Sequence, residues 1–204
     1  MDKRVIKKGM EALVMIDEDV ANAVEQVGYP APRLRPVGFE TMFAAILSQQ
    51  ISTDAARAIR ERVIALMHDV SAKSLLMVDP EALRSAGMSY RKIEYARGLA
   101  EAIVEGRLDL QGMREQTDDE VISAITALRG FGLWSAEIYL MFSLRRRDVF
   151  PAGDLALRSS LGILKDMEGK LTATQARQLV EHWSPWRSVG SLFLWHYYHE
   201  RPAE

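Results

Sequence analysis

The segment Ala127-Leu-Arg-Gly-Phe-Gly-Leu-Trp-Ser-Ala-Glu-Ile-Tyr-Leu-Met141 places two glycines around one aromatic residue, between two stretches that read as helix. Upstream, residues 117–128 carry apolar side chains at helical spacing behind a Thr117/Glu120 capping box. Downstream, residues 134–144 read as the next helix, which leaves 129–133 as a turn. Glycine can end a helix and reverse the chain because it accepts positive φ. The segment therefore predicts helix, tight G-x-G hairpin, helix. Such a hairpin turns backbone N–H groups outward beside the positive end of a helix dipole, an arrangement that suits a phosphate oxygen. On these residues alone, contact with DNA phosphate and a plain helical turn both stand. A phosphate-binding P-loop does not, because G-x-x-x-x-G-K-[ST] is missing and nothing before the turn reads as a strand.

The rest of the chain repeats the helical signal. Apolar residues recur at three and four positions in Ile59, Val63, Leu66 and Met67, and again in Ile93, Ala96, Leu99, Ala100 and Ile103. Period-two alternation is nearly absent. Ser52, Asp79 followed by Pro80, Ser89, and the Thr172/Gln175 capping box mark further helix starts, and Gly87 and Gly106 fall where helices end. The fold class is all-α, with about ten short helices. One Pro-rich connector, residues 28–38, reads as a crossing between lobes.

Composition sets the function classes. With 204 residues, 48% apolar and 26% charged, the chain has enough apolar material for one compact core or two small lobes. No stretch approaches the roughly 18 uninterrupted apolar residues of a membrane helix, and charges interrupt the N-terminal segment, so no membrane partner is expected. There is no cysteine, which excludes disulfides, thiolate zinc sites, a cysteine nucleophile and a thiolate-held iron–sulfur cluster. His68, His182, His196 and His199 show no metal-ligand spacing. A net charge of −2 argues against coating nucleic acid through bulk charge, leaving local clusters such as Arg145–Arg147 and Arg57, Arg60 and Arg62.

Three more segments stand out: residues 45–53, an apolar helix ending in Gln49-Gln50 before the Ser52 cap; residues 148–158, with Pro151-Ala-Gly-Asp154; and residues 183–195, rich in tryptophan. Together with the hairpin they resemble the helix-hairpin-helix (HhH-GPD) DNA glycosylase superfamily, and within it the 3-methyladenine DNA glycosylase II branch. The resemblance spans about Pro36 to Tyr198; the order and spacing of the four segments make it specific.

That resemblance implies a two-lobed helical fold: residues 38–146 as a central barrel lobe holding the hairpin, residues 1–37 with 147–204 as a second lobe, and an active-site cleft between them. It implies that Asp154 is the catalytic aspartate; read alone, an Asp after Gly is more often a helix N-cap than a catalyst. Trp134 and Trp195 would line the base pocket, against the plainer reading of core tryptophans. Gln49 would face the pocket and Gln50 would fill the gap left by an extruded nucleotide, against a solvated helix end. Ser52, Gly130, Phe131, Gly132, Leu133 and Ser135 would meet the DNA backbone. Backbone carbonyls of Thr126, Leu128 and Phe131 would hold a monovalent cation, Na⁺ or K⁺, with no other cofactor required. Arg129 stands where relatives carry proline, while the two glycines are kept.

Superfamily members that also cut the strand carry a lysine two residues after the second hairpin glycine, where its amine attacks C1′. Here that residue is Trp134. The resemblance thus implies a monofunctional glycosylase that removes alkylated purines from double-stranded DNA by hydrolysis, acting as a monomer, in the cytoplasm of a prokaryote or the nucleus of a eukaryote. An N-alkylated purine is a cationic, activated leaving group, so one carboxylate suffices, and cation–π attraction to tryptophan would add roughly 0.5–2 kcal/mol. Excision of uracil or of deaminated or oxidised bases, a hairpin module that binds DNA without catalysis, and a helical protein-interaction domain are the other readings.

Overall fold

The computed structural model describes residues 1–201, and among them it is helical without any strand. Its α-helices are α1 (Lys3–Ile16), α2 (Glu18–Val27), α3 (Phe39–Ser48), α4 (Thr53–Ile64), α5 (Ala72–Met77), α6 (Pro80–Ser85), α7 (Tyr90–Val104), α8 (Asp118–Thr126), α9 (Leu133–Phe142), α10 (Leu155–Leu164), α11 (Ala173–Leu179) and α12 (Arg187–Glu200). Short 3₁₀ turns occupy Gly112–Arg114 and Glu181–Trp183. Among the described residues twelve helices replace the ten or so expected. The surplus comes from pieces too short for a periodicity window, such as the six-residue α5, and from the break at Asp17 that separates α1 from α2.

The chain divides into two compact units. The first holds residues 1–35 and the described residues from Glu137 onward; the second holds residues 36–136. The sequence placed the boundaries after residues 37 and 146. The second one falls instead inside α9, because Phe142 belongs to the first unit: its carbonyl accepts the Arg35 N–H (3.0 Å), and its ring lies 5.9 Å from that of Trp195.

In the unit 36–136, α7 is the central helix. It buries Ile93, Ala96, Leu99 and Ala100, and α3, α5 and α6 pack on it. Its start is fixed by Ser89, whose hydroxyl accepts the Lys92 N–H (3.3 Å). In the other unit α12 is central: Val189, Leu192, Phe193 and Leu194 are buried, with α1, α2 and α10 against them. Burying side chains of this size stabilises by about 1.5–3 kcal/mol each.

Asp17 organises the core of the α12 unit. Its carboxylate caps α2 at Val20 N–H (3.2 Å) and accepts from Lys165 Nζ (2.7 Å), Trp183 Nε1 (2.6 Å) and His182 Nε2 (2.9 Å). Burial pushes its pKa up, but the hydrogen bonds from Lys165, Trp183 and His182 outweigh that and hold it below the usual aspartate value.

Candidate active site

Thr117 and Glu120 form the capping box that starts α8. After α8 the chain turns through Leu128–Gly132, closed by the Phe131 N–H on the Leu128 carbonyl (3.2 Å), and α9 begins at Leu133. The two glycines do different work. Gly130 has φ +93°, and a Cβ there would lie 2.3 Å from the Tyr95 ring, so both backbone and space require glycine. Gly132 lies outside the left-handed region, and a Cβ there would meet nothing within 4 Å. Its carbonyl accepts the Ser135 (3.0 Å) and Ala136 (3.2 Å) N–H groups that open α9. Positive φ therefore explains only one glycine. The other leaves open space at the helix start.

The glutamine pair joins this hairpin. Gln49 Nε2 donates to the Gly130 carbonyl at 2.8 Å across 81 residues of sequence, fixing the α3–α4 loop to the turn. Gln50 follows with φ +58°, an uncommon conformation for a residue with a Cβ, and is exposed. Ser52 spends its hydroxyl on capping α4 through Ala55 N–H (3.3 Å). Leu133 and Trp134 are about half exposed, at 45% and 48%, whereas Phe131 is buried. The Ser135 N–H is held inside the turn rather than presented outward. Arg129, the departure from proline, pairs with Glu94 on the surface.

The unit containing Glu137 onward holds the acid. Asp154 N-caps α10: its Oδ1 accepts the Leu157 N–H (2.9 Å), and the Trp195 Nε1 lies 3.4 Å from the same oxygen. The N-cap reading and the site reading hold together, since capping fixes the carboxylate rotamer while Trp195 lies beside it. Trp195 packs on the buried Phe142, ring centroids 5.9 Å apart. Three residues of the cluster around Trp195 were missed from the sequence. Phe142 read as one more apolar helix position. Arg33 and Arg35 read as part of a Pro-rich crossing, yet the Arg33 guanidinium carbon lies 4.7 Å from the Phe142 ring centre and 5.9 Å from that of Trp195, and Arg35 lies 6.0 Å from Phe142. An Arg-x-Arg inside such a connector was the available signal.

Glu137 is a second buried carboxylate of this unit, 5% exposed and 3.4 Å from Arg177. Burial raises its pKa to about 7, more than the half-exposed Arg177 lowers it. Among the described residues no cluster of His, Asp or Glu could hold a metal ion.

A helical hairpin closed by a left-handed glycine, with a capping aspartate beside a tryptophan elsewhere in the chain, fits a helix-hairpin-helix protein. The chain belongs to the HhH-GPD superfamily of base excision DNA repair proteins, whose pattern it matches over residues 43–185. It is 29% identical over 187 residues to DNA-3-methyladenine glycosylase 1 of Schizosaccharomyces pombe, covering 88% of this chain and 82% of that one. A crystal structure of a DNA-3-methyladenine glycosidase from Bacillus halodurans superposes with a TM-score of 0.83 at 33% identity, over 94% of this chain and 89% of the other. The S. pombe 3-methyladenine DNA glycosylase in complex with abasic DNA gives 0.81 at 29% identity, over 92% and 95%.

Proposed function

We propose that this protein is a monofunctional DNA-3-methyladenine glycosylase, which binds double-stranded DNA and hydrolyses the N-glycosidic bond of alkylated purines to leave an abasic site. The observation that carries the reading is the Asp154–Trp195 pair, in a family member with Trp134 where a Schiff-base lysine would stand. The relatives named as 3-methyladenine glycosylases support the same substrate class.

In this reading the hairpin binds phosphate through backbone at Gly130, Gly132 and Leu133, and Gln50 enters the stack as the target nucleotide leaves it. Gln49, already bonded to Gly130, sets the wedge loop against the hairpin. The glycosidic bond breaks with its electron pair passing to the base, and positive charge develops on the sugar. Asp154, held by the Leu157 N–H, stabilises that charge and orients the water whose oxygen bonds to C1′. Trp134 and Trp195 supply aromatic surface to the base. The carbonyls of Thr126, Leu128 and Phe131 would hold Na⁺ or K⁺ between hairpin and phosphate; the Leu128 oxygen, which accepts the Phe131 N–H, keeps a second lone pair for it.

Incubation with methylated genomic DNA tests the reading through the bases released. 3-Methyladenine in the supernatant, with no borohydride-trapped protein–DNA adduct, is the expected result. Release of no alkylpurine overturns the substrate class, and a lesion-dependent trapped adduct overturns the monofunctional mechanism.

A further inference from the structure

The aromatic surface beside Asp154 already carries a cation of the protein's own. The Arg33 guanidinium stands over both rings of the Phe142–Trp195 pair, at 4.7 and 5.9 Å from their centres. Trp195 in turn reaches the Asp154 carboxylate. Arg33 is tethered there by its backbone: its N–H donates to the Met1 carbonyl (3.2 Å), and two residues on the Arg35 N–H donates to the Phe142 carbonyl (3.0 Å). Arg33 as a whole is an exposed residue, with its guanidinium set against the two rings. Loss of water contact, and then the Arg35 charge, hold the Arg33 pKa below its ordinary value, while the Asp154 charge opposes them.

This placement bears on which bases can leave. An N-alkylated purine enters as a cation and departs neutral, and it competes with Arg33 for the same aromatic faces while being repelled by it. A neutral damaged base departs with the bonding electron pair and so becomes an anion; a fixed guanidinium next to it stabilises that charge by a charge-assisted hydrogen bond. We propose that Arg33 is the charge-selectivity residue of the site: it occupies the cation position on the Phe142–Trp195 pair beside Asp154, reduces the advantage that cationic alkylpurines hold over other lesions, and supports neutral lesions as they leave as anions. In that reaction the C1′–N bond breaks, its electron pair goes to the base nitrogen, water oxygen bonds to C1′, and the proton released by the water ends on the base through solvent. This assignment rests on the glycosylase reading.

The test compares single-turnover excision of 7-methylguanine, cationic, and hypoxanthine, neutral, from duplexes of one sequence by wild type, Arg33→Met, Arg33→Gln and Arg33→Lys. With charge removed, hypoxanthine release should fall and 7-methylguanine release should hold or rise, so that their ratio moves by at least about tenfold. Arg33→Lys keeps the charge but not the flat guanidinium, and its ratio should lie closer to the wild-type value than that of either neutral variant. Equal losses on both substrates, an unchanged ratio in both neutral variants, or a lysine variant that behaves like the methionine one each overturn the proposal. So does a wild-type enzyme that releases 7-methylguanine but no hypoxanthine. If wild type releases neither, the glycosylase reading itself has failed, and the Arg33 assignment falls with it.

Discussion

The hairpin of one unit and the aspartate of the other are built from opposite materials. At Gly130 the decisive groups are backbone: a left-handed φ, a missing Cβ against Tyr95, and a carbonyl held by Gln49. At Asp154 they are side chains: one carboxylate oxygen capping a helix, an indole N–H at 3.4 Å, and arginines over the aromatic rings. Backbone groups are the same at every residue, so the hairpin suits the repeating phosphate chain. Side chains differ, so the Asp154 region suits one reacting atom. Under the proposed function, binding without discrimination and chemistry without docking should therefore be separable by mutation.

The largest expected effect is at Asp154. Asp154→Asn keeps a capping oxygen for Leu157 N–H but loses the negative charge, so excision should fall by on the order of 10³-fold while affinity for lesion DNA stays within a few-fold. Single-turnover kinetics beside equilibrium binding measures both. Excision within threefold of wild type removes Asp154 from the chemistry, and a matched loss of binding removes the separation between the two regions. At the hairpin the pattern should reverse. Gly130→Ala forces a Cβ into the Tyr95 ring at positive φ, which should lower stability by about 2 kcal/mol and weaken binding to damaged and undamaged duplex alike. A change in the ratio of the two affinities would mean that the hairpin reads the lesion.

What was legible in the sequence follows the same division. Helix starts, the G-x-G turn and the N-capping Asp154 are local, each set by a few adjacent residues, and the structure places them where the spacing put them. The contacts that complete each region are not local. Gln49 meets Gly130 across 81 residues, and Arg33 meets Trp195 through a connector whose prolines suggested only a crossing. The two glycines looked equivalent because neither φ nor Tyr95 is visible in a G-x-G. Glu137 did leave a trace: a single acid inside Leu-Trp-Ser-Ala-Glu-Ile-Tyr-Leu-Met-Phe is a buried carboxylate waiting to be noticed.

Glu137 sharpens the comparison through pH. Its folded pKa of about 7 lies above the ordinary 4.5, so the stability it contributes is complete below about 4.5 and is lost as pH rises through about 7. The full loss is on the order of 3 kcal/mol. Asp17, with its folded pKa lowered, acts in the other sense: its contribution is present above the ordinary aspartate value and disappears in acid. Both lie in the unit that holds Asp154. Glu137→Gln removes the titration, so the variant should lose little stability between pH 5 and 8 where wild type loses one to a few kcal/mol. Urea denaturation across that range decides it, and parallel curves for the two proteins would show that Glu137 does not titrate there.

The smallest effect belongs to Gly132, and it is the most discriminating within the hairpin. Gly132→Ala adds a methyl where φ is not left-handed and no atom lies within 4 Å, so the fold has no reason to resist it. Restricting the unfolded chain should leave stability unchanged or raise it by about 0.4–1 kcal/mol. The methyl nevertheless stands at the exposed start of α9, where, under the proposed function, a phosphate oxygen comes close to backbone N–H groups. Affinity should fall by about three- to tenfold, equally for damaged and undamaged duplex, and excision at saturating enzyme should be unaffected. Gly130→Ala and Gly132→Ala would then differ in melting temperature while agreeing in the loss of binding, which separates a glycine kept for the turn from one kept for the ligand. A Gly132→Ala protein that binds as tightly as wild type across several salt concentrations would mean that the phosphate approaches the hairpin elsewhere, and that only Gly130 gives the motif its meaning.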